Sequence, residues 1–317
     1  MSAGLLVIGD VVTDVVALHG APVSTGTDTA ADIVLRPGGS GANTASWAAH
    51  LGADVRLLTR VGFDTGEWHT AELTKAGVRP HARVDPDHPT AVVIAMVDVT
   101  GERSMLTNRG AGGRISADDW SPDLLDGVRH LHLSGYTLFA EPGLELARLA
   151  MAAASSLGLT ISVDPASTGF LRDFGVERFL TETAPARLII PNRDEALLLT
   201  GAATPQAAAS ALSLRYGTAV VKLGAEGAIL ATEGRVTAAT AGRERDVIDS
   251  TGAGDAFAAG FLTARLRGGS DLASLEAGCS AGADAVAIVG DAHGTVWVPI
   301  VFTLFTPIDS LRRRLHH

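Results

Sequence analysis

The apolar positions of this chain come first in short runs and then in longer helical stretches. Leu5-Leu6-Val7-Ile8 is a continuous apolar run that ends at Gly9-Asp10, and it reads as a buried strand of an α/β sheet. Asp32 to Arg36 predicts a strand, which leads through Pro37-Gly38-Gly39-Ser40-Gly41-Ala42-Asn43 into a helix of small residues from Ala42 to Leu51, closed by Gly52. Val55 to Arg60 predicts another strand, followed by a helix from Gly66 to Ala76. The texture then changes. Val84, Ala91 to Val99 and Ser104 to Thr107 read as strands joined by short turns, with a hairpin at Asp98-Val99-Thr100-Gly101-Glu102.

From about residue 115 the strand–helix alternation returns. His130 to Ser134, Thr160 to Asp164, Arg187 to Pro191 and Ala219 to Leu223 predict parallel strands, with helices over Pro142 to Leu157 and Pro205 to Tyr216 between some of them. The fold class is therefore α/β: a doubly wound, mostly parallel sheet flanked by helices, with a small β-sheet set apart as a lid. The division is a core of residues 1–11, 38–78 and 112–317 and a lid of residues 12–37 and 79–111. The apolar run Val298 to Phe305 is too short to span a bilayer, and the tail from Ile300 to His317 suggests no role.

Composition narrows the function classes. A chain of 317 residues with 46% hydrophobic and 19% charged residues is an ordinary globular one with room for a large core. Its formal net charge of −10 argues against general nucleic-acid binding. Cys279 is the only cysteine, which excludes an internal disulfide and a cysteine metal cluster. With no signal peptide and no membrane span read at its start, the expectation is a cytoplasmic protein without membrane partners.

The chemistry concentrates in Asp249-Ser250-Thr251-Gly252-Ala253-Gly254-Asp255-Ala256-Phe257, ahead of a long apolar stretch that reads as a helix. Glycines let the backbone turn tightly and approach a ligand. The unpaired N–H groups of the first helical turn make an anion site. A carboxylate there, Asp255, repels a phosphate it would merely hold, but suits a base that takes a proton from an attacking hydroxyl. This points to phosphoryl transfer to an alcohol. The turn is not a Walker A loop, since no Lys-Ser or Lys-Thr follows, and it fails the dinucleotide fingerprint at Phe257. The turn at Gly39 reads either as a ligand cradle or as plain strand-to-helix punctuation. Asp14 reads either as a ligand-binding carboxylate or as a solvated loop residue.

Residues 249–257 resemble the C-terminal signature of the ribokinase-like (PfkB) carbohydrate kinases. Pro37 to Asn43 resembles their N-terminal signature, Pro191-Asn192-Arg193-Asp194-Glu195-Ala196 their Asn-x-x-Glu motif, and Lys222-Leu223-Gly224-Ala225-Glu226-Gly227 their nucleotide-side strand and turn. The matches run in the family's order over nearly the whole chain. The resemblance implies ATP-dependent phosphorylation of a sugar, with Asp255 as base and the N–H groups of Gly252, Ala253 and Gly254 as anion hole. It implies Asp14, Gly39 and Asn43 as acceptor-binding residues. Asn192, Lys222, Gly224 and Gly227 become nucleotide neighbours, and Glu195 arranges Mg²⁺ through its waters. Lys222 has a second reading, an ion pair with a surface carboxylate. The resemblance also implies a K⁺ site at Asp249 and Thr251, and a homodimer through the lid.

The acceptor is expected to be a neutral sugar, ribose or a ketohexose. The alternatives are a nucleoside or a keto-deoxy sugar acid, and a catalytically silent sugar-binding regulator. Arg109 reads either as a clamp for an anionic acceptor or as a solvated lid residue. The lid shows no clear platform for stacking a purine.

Overall fold

The computed structural model describes residues 4–98, 103–243 and 252–287. Strands β1 (Gly4–Ile8), β4 (Asp54–Gly62), β5 (Arg79–Asp85), β8 (Val128–Ser134), β9 (Thr160–Asp164), β10 (Leu188–Ile189), β11 (Thr218–Lys222), β12 (Ala228–Thr232) and β13 (Arg235–Thr240) form one large sheet. Its order is β13-β12-β11-β10-β9-β8-β1-β4-β5. All its neighbours run parallel except the final antiparallel pairs β11–β12 and β12–β13. A second sheet contains β2 (Val12–His19), β3 (Ala31–Gly38), β6 (Ala91–Val97) and β7 (Arg103–Asn108), in the order β3-β2-β6-β7.

The uninterrupted apolar run of β1 follows from its central position. Leu6 and Ile8 join one core cluster and Leu5 and Val7 another, because alternate side chains leave opposite faces of a strand and both faces are covered. Helices Glu141–Ser156, Arg193–Thr200 and Pro205–Tyr216 pack on one face. Helices Ser40–His50, Gly66–Lys75, Ala253–Leu266 and Asp271–Ala287 cover the other.

The strand order reverses at β1, whose neighbours are β8 and β4. Ligands of open α/β sheets bind beyond the carboxyl ends of the strands at such a point. Asp10, Ser134, Asp164, Asn192 and Lys222 all lie at or just past strand ends there.

One boundary needs correction. The segment 79–111 was expected to belong to the lid, but Arg79–Asp85 pairs in parallel with β4 as the edge of the large sheet. Helix Gly66–Lys75 is the crossover that returns the chain beside β4, as a βαβ unit does. The second sheet begins on this side only at Ala91. It is also mixed: β2 pairs antiparallel with β3 and parallel with β6, and β6 pairs antiparallel with β7. The hairpin expected at 98–102 falls largely outside the described residues, as does the tail.

Candidate active site

A cavity of about 1240 Å³ opens between the two sheets. Asp14, Gly39, Asn43, Arg109, Asn192, Glu195, Lys222, Gly224, Gly227, Gly252, Ala253, Gly254 and Asp255 all line it. The sites expected at Asp249 and Thr251 lie outside the described residues.

Helix Ala253–Leu266 begins from Gly252 at φ 76°, a left-handed conformation that favours glycine. Before Asp255 the first turn carries only the small Ala253 methyl, and Gly252, Ala253 and Gly254 all line the cavity, where the unpaired N–H groups of a helix start are found. Asp255 is held from both sides. Ser40 Oγ donates to its Oδ1 at 2.8 Å, and Asn43 Nδ2 donates to its Oδ2 at 3.1 Å. Burial, with the nearby charge of Asp164, pushes the Asp255 carboxyl up to about 7 against the pull of those two donors. A carboxyl poised there suits a general base at neutral pH.

The donors to Asp255 come from helix Ser40–His50, and Asp10 fixes the start of that helix. Its carboxylate accepts from the backbone N–H of Ser40 and of Gly41, both at 3.2 Å, and from Ser134 Oγ at 3.4 Å. The glycines of this turn answer to packing. A Cβ on Gly41 would stand 2.6 Å from Gly9 backbone, and one on Gly39, at φ 105°, would stand 2.7 Å from the Asp10 carbonyl. Asn43, expected at the acceptor, lines the cavity but spends its amide on Asp255.

Asn192 and Glu195 form a reciprocal cap on helix Arg193–Thr200. The Asn192 side chain accepts from the Glu195 N–H at 2.9 Å, and Glu195 Oε2 accepts from the Asn192 N–H at 2.8 Å. Glu195 Oε1 also accepts from Asn192 Nδ2 at 2.7 Å. Glu195 is 2% exposed, and burial together with Asp164 raises its carboxyl. Lys222 donates to Asp164 Oδ2, so its partner is a buried carboxylate rather than the surface one that its sequence also allowed. The Lys222 ammonium lies 3.3 Å from where a Cβ on Gly254 would stand. Burial alone would lower this lysine, but Asp164 and Glu195 carry it above its ordinary value.

Arg109 does not extend into solvent. It donates to the carbonyls of Tyr136 and Phe139, and its guanidinium sits 5.8 Å from the Phe170 ring centroid. Tyr136 and Phe170 line the cavity and meet edge to face at 5.6 Å. These aromatics come from the core side, which the sequence reading of the lid passed over. Asp10, Ser40, Asp164, Tyr136 and Phe170 are the site residues that reading missed. For Asp10 and Asp164 the available signal was a carboxylate at the carboxyl end of a predicted parallel strand.

Residues 2–296 match the family described as pfkB family carbohydrate kinase. A fructokinase of Escherichia coli is 33% identical over 275 residues, covering 83% of this chain and 84% of that protein. An ATP-dependent ribose-1-phosphate kinase of Halopiger xanaduensis is 31% identical over 249 residues, covering 78% of this chain and 79% of its own. Among solved structures, a putative ribokinase II of Escherichia coli in complex with ATP and Mg²⁺ has a TM-score of 0.81 at 22% identity, over 93% of this chain and 96% of that one. Fold and family match together define a kinase that phosphorylates an alcohol group. The chain belongs to the pfkB family of carbohydrate kinases. Among the described residues, no helix is long and apolar enough to cross a membrane.

Proposed function

We propose that this kinase transfers the γ-phosphoryl group of ATP to a hydroxyl of a neutral sugar, ribose or a ketohexose. The observation that carries the reading is Asp255 itself. It is a buried carboxylate with a raised pKa, clamped by Ser40 and Asn43, in the first turn of a helix whose opening residues line the same cavity. Asp255 takes the hydroxyl proton as the acceptor oxygen forms its bond to the γ-phosphorus. The bond from that phosphorus to the bridging oxygen breaks, and its electron pair leaves on ADP. The N–H groups of Gly252, Ala253 and Gly254 receive the charge that develops on the phosphoryl oxygens.

The small sheet closes the acceptor end with Asp14, Val93, Met105 and Thr107. Short polar groups among apolar ones suit sugar hydroxyls. Arg109 already donates to two backbone carbonyls, which leaves only part of its fork for an anionic acceptor. The similarity to a fructokinase supports the same choice. A nucleoside acceptor is the second reading, favoured by Tyr136 and Phe170 on the cavity wall.

The donors near the nucleotide end are hard oxygens, at Asn192 and Glu195. Among the described residues no group of three His, Cys, Asp or Glu side chains is arranged to chelate a metal. The oxygens of Asn192 and Glu195 fit Mg²⁺, which keeps several waters, and these two side chains would order those waters. Bound there, Mg²⁺ neutralises phosphate charge. Substituting Asp255→Asn tests the assignment. Turnover falls about 10²–10⁴-fold while ATP binding, followed by calorimetry, stays near wild type. Turnover close to wild type would refute Asp255 as the base.

A further inference from the structure

We propose that Asp164 is a positioning residue of the phosphotransfer, acting through Lys222: it anchors that ammonium against the first turn of helix Ala253–Leu266, where the ammonium meets the transferring phosphoryl group. The inference rests on the phosphotransfer reading above and deepens it.

The two residues lie at the ends of β9 and β11, with β10 between them. Their side chains close over it as an ion pair, 12% exposed at Lys222 and 7% at Asp164. Both Asp164 oxygens are committed. Oδ2 accepts from Lys222 Nζ, and Oδ1 accepts from the Ala166 N–H at 3.0 Å. The turn so formed holds Ala166, a non-glycine residue on the cavity wall, at φ 69°. Such a conformation persists only where its surroundings hold it. Lys222 lines the cavity, and Asp164 is buried against it.

A buried ion pair is weak evidence of stability, because desolvating two charges offsets most of their attraction. What the pair provides here is a fixed cation. An ammonium has three N–H donors, and Asp164 accepts from one. The absence of a side chain at Gly254 leaves the ammonium beside the helix turn that faces the phosphoryl path. A cation fixed in advance stabilises charge spreading over the phosphoryl oxygens without reorganising as it forms. Freed from Asp164, the flexible lysine stem would carry the charge through many positions.

A double-mutant cycle on the full chain tests this, reading kcat, KM for both substrates and calorimetric ATP affinity. Asp164→Asn keeps an acceptor for Ala166 but loses the charge. It lowers kcat about tenfold or more while ATP affinity and acceptor KM stay within about threefold, the pattern of an interaction made chiefly in the transition state. Lys222→Met lowers kcat at least as far, and the double variant is no slower than Lys222→Met alone, as residues acting in series require. Losses that multiply in the double variant, or an Asp164→Asn enzyme with wild-type kcat, overturn the inference. Should Asp164→Asn not fold, Lys222→Met with wild-type kcat overturns it equally. A wild-type protein that forms no ADP with any acceptor and binds no ATP would instead fail the functional reading, so the two failures are distinct.

Discussion

At the scale of single residues the site depends on holding a carboxylate in place while keeping it basic. Burial raises Asp255 to about 7, and the hydrogen bonds from Asn43 and Ser40 hold it from rising further. As the proposed base, Asp255 works only when deprotonated, so kcat/KM is expected to fall as pH drops through about 7, measured between pH 5 and 9. Removing one donor with Ser40→Ala raises the carboxyl, and the acid limb moves to higher pH. A limb that stays in place or moves down would deny Ser40 this role. The place of Asp255 in the cavity was legible in the sequence because its motif is contiguous. Asp10 and Asp164 were not, because what defines them is distant in the chain: Asp10 meets Ser40 across 30 positions and Asp164 meets Lys222 across 58. A carboxylate at a strand end gives no sign of a partner on another strand or helix.

At the scale of elements, the helix that carries Ser40 and Asn43 must approach β1 closely to reach Asp255. Gly9 and Gly41 permit that approach, backbone against backbone. Gly41→Ala therefore pushes a methyl group into backbone that has no rotamer to yield. The expected cost is about 1–3 kcal/mol of stability, with a larger relative loss of kcat, read by urea unfolding and steady-state kinetics. An unchanged midpoint would mean the turn adapts freely. The sequence reading left this turn open between cradle and punctuation, since glycines serve both. Most parallel strands were legible from their apolar runs. The strand Arg79–Asp85 was not, because an exposed edge strand carries an alternation much like that of a lid strand.

At the scale of the whole molecule, the small sheet has two unlike faces. Asp14, Val93, Met105 and Thr107 face the cavity. On the opposite face, in register across the strands, stand Ile33, Leu35 and Leu106, exposed by 60%, 58% and 59%. An apolar stripe of this kind on an open sheet fits a second copy of the chain. A homodimer by light scattering at micromolar concentration is the expected result, with Ile33→Asp and Leu35→Asp together giving a folded monomer. A wild-type monomer would contradict it.

Transfer to a sugar hydroxyl is tested most directly by ADP formation from Mg-ATP by the purified protein, with ribose, fructose, adenosine, fructose 6-phosphate and 2-keto-3-deoxygluconate offered in turn. The expected result is ADP release that depends on ribose or fructose and falls about 10²–10⁴-fold in Asp255→Asn. Release with adenosine alone would shift the acceptor to a nucleoside and give Tyr136 and Phe170 its base. ADP formation that needs no acceptor, or that stays close to wild type in Asp255→Asn, would contradict a base-assisted transfer to a sugar hydroxyl.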